Sequence, residues 1–333
     1  MSRKSYGSYS MRRIFFIVGP TASGKTELAA DVAQEIGAEI VSADAFQIYQ
    51  GLDLLTAKPE AGTLQKVAHH LIGVTPLHEE MNAEKFRHTA TRAIDEIHSR
   101  GKFAIVVGGS GLYVKALTHG LTSLPESDPK LRQKLNAMSL NELRSELVQL
   151  DPEAARKIDT NNRRRVLRAL EICLVTGKRV SAQRKQWAVA ASLREARRAA
   201  VMATRRGASH SEAATGVFVY RGREDLYARI NDRVEAMFHE GVIEEVRAAT
   251  AVSATASQMI GLRQIRDLLR GKMSILQCIG EIQQATRRYA KRQLTWFRHQ
   301  SNFEPLNLSL FSHNEAVKWI SQRARRSFAL RND

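Results

Sequence analysis

The sequence predicts an α/β fold: a parallel sheet core with helices on both faces, a phosphate-binding loop (P-loop) behind its first strand, and a mainly helical insertion domain. Three observations predict it. Short apolar runs ending in glycine alternate with amphipathic helical stretches up to about residue 121, the pattern of a sheet buried on both faces. The first run leads directly into Gly19-Pro-Thr-Ala-Ser-Gly24-Lys25-Thr26. Beyond Leu121 the strand signals stop, helical patterns continue to about Arg198, and a strand-like run returns at Val217.

Ile14 to Val18 is wholly apolar and reads as a central strand. The stretch from Lys25 to Ile36 predicts a helix that Gly37 stops. Glu39 to Ser42 reads as a second strand, and Phe103 to Val107 as a third. Between them, Phe86, Ala90, Ile94 and Ile97 mark one face of a helix that starts after Asn82 and ends at Gly101. Leu124 to Pro129 is punctuation. The stretch Ala188 to Gly216, rich in Ala, Ser and Arg, reads in part as a mobile connection. Val217 to Tyr220 is a return strand, followed by helices over Glu224–Ala249 and Ile275–Phe297. The expected organisation is a core over 11–122, a basic helical insertion over 123–200, a largely helical return over 201–310 and a basic C-terminal tail over 311–333.

Charge narrows the partner. Lys and Arg number 51 against 34 acidic residues in 333, a formal net charge of +17. An excess of this size points to a polyanion, since each phosphate neutralised releases condensed counterions. Arg156 to Lys185 alone holds ten basic and two acidic residues, including Arg164 and Arg168, and forms a cationic wall. The two cysteines, Cys173 and Cys278, build neither a disulfide framework nor a zinc site. A reducing cytoplasm is the natural setting. No apolar run is long enough to cross a bilayer. Ser2 to Arg13 is basic and serine-rich without a secretory core; it reads as a loose tail or a transit peptide, with Met11 as an alternative start. Nothing suggests an obligate interface, so a monomer is expected.

Residues 19–26 fit the G-x-x-x-x-G-K-[ST] loop in its required strand–loop–helix context. The amides of Gly19, Thr21, Ala22, Ser23 and Gly24 would turn around an anion at a helix N-terminus. Lys25 adds a point charge, and Thr26 offers its hydroxyl to Mg²⁺. The loop leaves open whether the phosphates belong to ATP or to another diphosphate. Asp44 lies just past the second strand, where open α/β sheets bind ligands. It is placed to act as a base, as an anchor for Mg²⁺, or as a turn cap. Gly108 to Tyr113 brings Ser110 to the same edge. Thr286 to Arg298 sets Arg287 with Lys291 and Arg288 with Arg292, one helical turn apart; its five basic and three aromatic residues suit phosphate contact and base stacking.

Taken together, these segments resemble the bacterial tRNA dimethylallyltransferases, from Ile14 to about Phe303. The resemblance rests on GPTASGKT, Ser42 to Pro59 (SADAFQIYQGLDLLTAKP), HHLI at His69 to Ile72 and VGGSGLYVKAL at Val107 to Leu117. It continues through Asn161 to Lys178 (NNRRRVLRALEICLVTGK), Arg223 to Met237 (REDLYARINDRVEAM) and RRYAKRQLTWFR. It implies transfer of a dimethylallyl group from dimethylallyl diphosphate to N6 of the adenosine adjacent to the 3′ side of the anticodon. It further implies Asp44 as general base and Ser110, a threonine in the family, near the bridging oxygen. Lys25, the loop amides, Thr26 with Mg²⁺, and Arg223 are implied to stabilise the leaving diphosphate, while Gln47 and Lys58 fall in family positions near the RNA and nucleotide pocket. The basic insertion and the 286–298 helix would hold the anticodon stem-loop.

The chain departs from the family pattern at Ala45 for Ser, Leu55 for Gly, Gly73 for Asp, and Leu262-Arg263-Gln264 for Tyr-Lys-Glu. Those changes keep a divergent RNA-binding paralogue with weak or altered transferase activity as the alternative. A P-loop kinase of a small metabolite is the other rival; it would bind ATP and ignore RNA.

Overall fold

The computed structural model describes residues 14–121, 128–182, 216–300 and 302–329. Its core is a six-stranded, all-parallel sheet of β1 (Ile14–Val18), β2 (Ala38–Ser42), β3 (His69–His70), β4 (Phe103–Gly108), β5 (Gly216–Tyr220) and β6 (Phe303–Asn307). Their order across the sheet is β3-β2-β4-β1-β5-β6. β1 lies between β4 and β5, with Ile17 opposite Val107 on one side and Val217 on the other. The chain runs from β1 to one flank and returns through β5 on the other, so β1 ends at the switch point where such sheets bind ligands.

Residues of β1 alternate between two cores, as the twofold period of a strand requires. Ile14, Phe16 and Val18 pack into one with Val106, Phe218 and Phe297. Phe15 and Ile17 pack into the other with Leu28, Val32 and Ile320. The helix after the loop, α1 (Lys25–Ile36), ends at Gly37 as predicted. The 83–99 helix (Ala83–Ser99) is capped by Asn82, whose side chain accepts the N–H groups of Glu84 and Lys85.

Two expectations are corrected, and two strands are added. The single helix over Glu224–Ala249 is two, Arg223–His239 and Val242–Ala248, because Gly241 adopts a φ of 100° that ends the first and turns the chain. Residues 311–333 are not simply a tail: His313–Ala329 is a helix burying Ala316, Ile320, Ala324 and Phe328 in the second core. Strands β3 and β6 were not anticipated. β3 has two residues, and β6 (FEPLN) carries a proline that only an edge strand tolerates.

The described residues fall into two units, 14–120 with 216–329, and 121–182. The second is all-helical and has its own core of Leu135, Leu143, Leu147, Val166, Leu167 and Leu170. The punctuation at Leu124–Pro129 and the connection at Ala188–Gly216 lie almost wholly outside the described residues.

Candidate functional site

The phosphate loop leaves β1 and is shaped by residues distant in sequence. Gly24 sits at φ 84° and Ala22 at φ 62°, so the backbone turns left-handed twice in three residues. The Thr21 N–H donates to Gln293 Oε1 at 2.9 Å, and Gln293 Nε2 donates to Gly109 O at 2.8 Å. One buried glutamine thus ties the loop after β1 to the loop after β4. Arg221 Nε donates to Ser23 O at 2.9 Å, and Arg229 Nε to Ala22 O at 3.0 Å. Ser23 is fully buried and its Oγ has no partner, an arrangement that costs about 1–3 kcal/mol unless a ligand supplies one.

Two pockets meet at Asp44. The first is lined by Lys25, Thr26, Ser42, Gln47, His69 and Gly108 together with Asp44. The second joins Asp44 to Thr21, Arg233 and Tyr289 on a wall of Phe46, Leu55, Val234, Met237, Met259, Ile260 and Ile282. Asp44 Oδ1 accepts the N–H of Phe46 at 2.9 Å and of Gln47 at 3.3 Å, which fixes the carboxylate at this junction. The Ser110 hydroxyl oxygen accepts the N–H of Ala45 at 2.9 Å, so the loops after β2 and β4 are joined beside the carboxylate.

The Lys25 ammonium donates to Pro20 O at 3.2 Å. Burial lowers its pKa to about 8, with Asp44 opposing the shift and Arg233 adding to it. Arg233 is held below the usual arginine range, first by burial, and its Nε has no partner. Lys25 and Arg233 therefore bring positive charge to one carboxylate, and the exposed Arg229 adds to it at the loop, the electrostatics of an anion site.

The remaining predicted residues divide. Gln47 donates to Ala57 O at 2.7 Å, and Lys58 donates to Gly51 O at 3.0 Å and Asp53 Oδ1 at 2.5 Å. Both brace the 51–58 segment. Arg223 is exposed at the start of its helix with its guanidinium 5.2 Å over Tyr227; the arginines that reach the loop are Arg221 and Arg229. Arg287 bonds Asn231 at 2.5 Å and also lies over Tyr227, whereas Arg288, Lys291 and Arg292 are exposed. In the helical unit Arg164 is exposed, while Arg168 pairs with the fully buried Glu171 at 2.6 Å.

Arg221, Arg229 and Arg233, together with Gln293, were missed in the sequence, and Tyr289 was read only as one of three aromatics for base stacking. A signal existed for the arginines. Residues 225, 229 and 233 recur every four positions with Asp, Arg, Arg on one stripe of a helix, and Arg221 stands four positions ahead of them just before it starts. Gln293 shares a buried helix face with Ile282, Thr286, Ala290 and Phe297, but no local signal marks it as a brace for a distant loop.

Two of the family departures have a structural setting that can be described. Glu245 Oε1 and Oε2 accept the N–H groups of Leu54 and Leu55 at 2.8 and 2.9 Å. The left-handed residues of that segment are Gly51, Leu52 and Ala57, not Leu55, so a bulky residue at 55 meets no backbone penalty. Ala45 lacks a hydroxyl, and its N–H is the group that holds Ser110.

Residues 47–300 match the family model described as IPP transferase. The chain is 40% identical over 285 residues to the tRNA dimethylallyltransferase of Akkermansia muciniphila, covering 86% of this chain and 90% of that one. It is 37% identical over 323 residues to that of Geobacter sulfurreducens, covering 95% and 94%. Among solved structures, the tRNA isopentenylpyrophosphate transferase of Bacillus halodurans superposes with a TM-score of 0.66 at 31% identity, over 96% of this chain and 98% of the other. A eukaryotic dimethylallyltransferase acting on tRNA shares the fold, with a TM-score of 0.69 at 24% identity over 96% and 79%.

Proposed function

The chain belongs to the IPP transferase family, and on that premise we propose how its site moves a dimethylallyl group from dimethylallyl diphosphate to N6 of the adenosine on the 3′ side of the anticodon. The observation that carries this reading is the position of Asp44, shared by a pocket at the phosphate loop that holds Lys25 and a second pocket with one wall of apolar side chains beside it. A donor with a charged head and a short apolar tail suits such a pair.

In the reaction the N6–C1 bond forms, the C1–oxygen bond breaks, and N6 loses a proton. An adenine exocyclic amine is a weak nucleophile, so its proton needs an acceptor at hand. Asp44 is that acceptor, its second oxygen available while Oδ1 is occupied by two amides. The electron pair leaves on diphosphate, where Lys25, Arg229, Arg233 and the loop amides stabilise it. The adenosine must leave its stack to reach the site, which costs a few kcal/mol. Binding of the stem and loop by Arg288, Lys291, Arg292 and the exposed Arg164 offsets that cost.

Among the described residues no group of three His, Cys, Asp or Glu side chains could hold a metal alone. Thr26 lines the first pocket, and its hydroxyl would hold a Mg²⁺ ion there beside the diphosphate. When bound, it neutralises charge on the leaving group. Among the described residues no helix is long and apolar enough to cross a membrane. We place the protein in the cytoplasm as a monomer, where its RNA substrate resides.

The test incubates purified protein with dimethylallyl diphosphate, Mg²⁺ and an anticodon stem-loop carrying adenosines at the target position, and weighs the RNA by mass spectrometry. A gain of one dimethylallyl group is expected. Stem-loop binding without any gain would overturn the transferase reading in favour of an RNA-binding paralogue.

A further inference from the structure

Gln293 touches neither pocket, yet its side chain spans the two halves of the site. It lies on the helix Ile275–Arg298 and is buried. Its Oε1 accepts the Thr21 N–H and its Nε2 donates to Gly109 O. A carboxamide offers both roles at once, and here one neighbour can only donate and the other only accept. Thr21 belongs to the phosphate loop and lines the second pocket. Gly109 O is the carbonyl of the peptide that enters Ser110. Ser110 is in turn bonded on both sides of Asp44: its N–H donates to Ala43 O at 3.4 Å and its hydroxyl accepts the Ala45 N–H at 2.9 Å. A chain of bonds thus runs from Thr21 through Gln293, Gly109 and Ser110 to the residues flanking the carboxylate.

The helix comes close to make this joint. A β-carbon at position 109 would lie 2.3 Å from Gln293 Nε2 and 2.8 Å from Gly19 O. One at position 111 would lie 2.6 Å from the ring of Trp296, three residues further along the same helix. Glycine at 109 and 111 is what lets the helix seat on the loop after β4. A second bond joins the same two loops, from the Gly19 N–H to Gly108 O at 3.2 Å. Two amides expected to turn around an anion, those of Gly19 and Thr21, are therefore spent on holding the loops together.

We propose that Gln293 is a positioning residue for the transfer step: its paired bonds set the distance between the loop that takes the diphosphate and the carboxylate that takes the proton. The proposal rests on the transferase reading and deepens it. Bond formation at N6, departure of diphosphate and removal of the proton need both halves of the site in register, and a misplacement of about 1 Å costs about 10²-fold in rate. The same helix turns Arg288, Lys291 and Arg292 to solvent, so the cations offered to RNA and the brace of the site ride on one element.

Gln293→Leu removes both bonds at similar volume. Gln293→Glu keeps the acceptor and can donate to Gly109 O only while its carboxyl is protonated. The experiment measures single-turnover transfer at saturating dimethylallyl diphosphate and stem-loop, together with the affinities for a donor analogue and for the stem-loop. Rates are taken between about pH 6 and about pH 8.5 and divided by the wild-type rate at the same pH, so that titrations common to both proteins cancel. Q293L is expected to lower the rate by about 10- to 100-fold at every pH, with both affinities within about 3-fold of wild type. Q293E is expected to approach wild type at the acid end, where the added proton restores the second bond, and to fall toward Q293L at the alkaline end. A Q293L rate within about 2-fold of wild type, a loss that disappears at saturating substrate, or a Q293E variant as slow as Q293L at both ends of the range would overturn the proposal. Product formation by wild type in the same assay carries the transferase reading separately, so the two failures are told apart.

Discussion

Around the phosphate loop, Arg221 pairs with Asp225 at 2.9 Å, but the other basic side chains are not spent on carboxylates. Lys25 donates to Pro20, Arg229 to Ala22, and Arg233 leaves its Nε without a partner. In the helical unit at 128–182, arginines serve the fold instead. Arg132 and Arg168 converge on the fully buried Glu171 at 3.2 and 2.6 Å, Arg144 donates to Thr160 O at 2.8 Å, and Arg163 donates to Asn136 O at 2.9 Å. The comparison teaches that a count of basic residues does not measure a binding surface. The cationic wall read from residues 156–185 is partly internal bracing, and what faces outward includes Arg164 and Arg165.

Breaking the first region should cost the most activity. Lys25→Ala is expected to lower kcat/KM for the donor by about 10²- to 10³-fold, with stem-loop affinity little changed. Its pKa near 8 sets a pH dependence. The free enzyme carries the ammonium below about pH 8 and loses it above, so affinity for a non-reacting donor analogue should fall as pH rises through that value. Calorimetry of Lys25→Ala should show a flat profile over the same window.

The second region should respond in stability. Glu171→Gln leaves Arg132 and Arg168 without their carboxylate and should destabilise the helical unit by about 3 kcal/mol, read by denaturant unfolding. Short stem-loops saturating the core site should still be modified.

Two smaller effects sharpen the contrast within a single helix. Arg229→Ala, which removes a loop contact, should reduce donor kcat/KM by about 10-fold. Arg223→Ala, at the exposed first turn, should change it less than about 3-fold, because a surface cation over an aromatic ring contributes little. Equal losses at 223 and 229 would restore Arg223 to the leaving-group role that the family resemblance assigned it.

How legible each part was follows from how local its signal is. The phosphate loop is one contiguous segment with fixed spacing, and β1, β2, β4 and β5 are apolar runs long enough to read. Asp44 and Ser110 were legible because each follows such a strand. Gln293 acts across 272 residues on Thr21, and nothing local says that a glutamine on a basic helix will turn inward to brace a distant loop. Gln47 and Lys58 were placed near the RNA and nucleotide pocket only because the family resemblance puts those positions there. Folding directs both to backbone carbonyls of their own loop. The final helix was read as a tail because its charge obscured the buried stripe of Ala316, Ile320, Ala324 and Phe328.

The central claim is that one carboxylate, at the meeting point of two pockets, accepts the proton from the adenosine amine. Asp44→Asn keeps the size of the side chain and an oxygen that can accept the Phe46 and Gln47 amides, but it removes the basic group. Single-turnover transfer by this variant, with stem-loop and donor-analogue affinities measured alongside, is the direct test. The expected result is a transfer rate lower by about 10²- to 10⁴-fold with both affinities within about 3-fold of wild type. A rate close to wild type, or a loss that disappears at saturating substrate, would contradict the assignment and make Asp44 a binding group only.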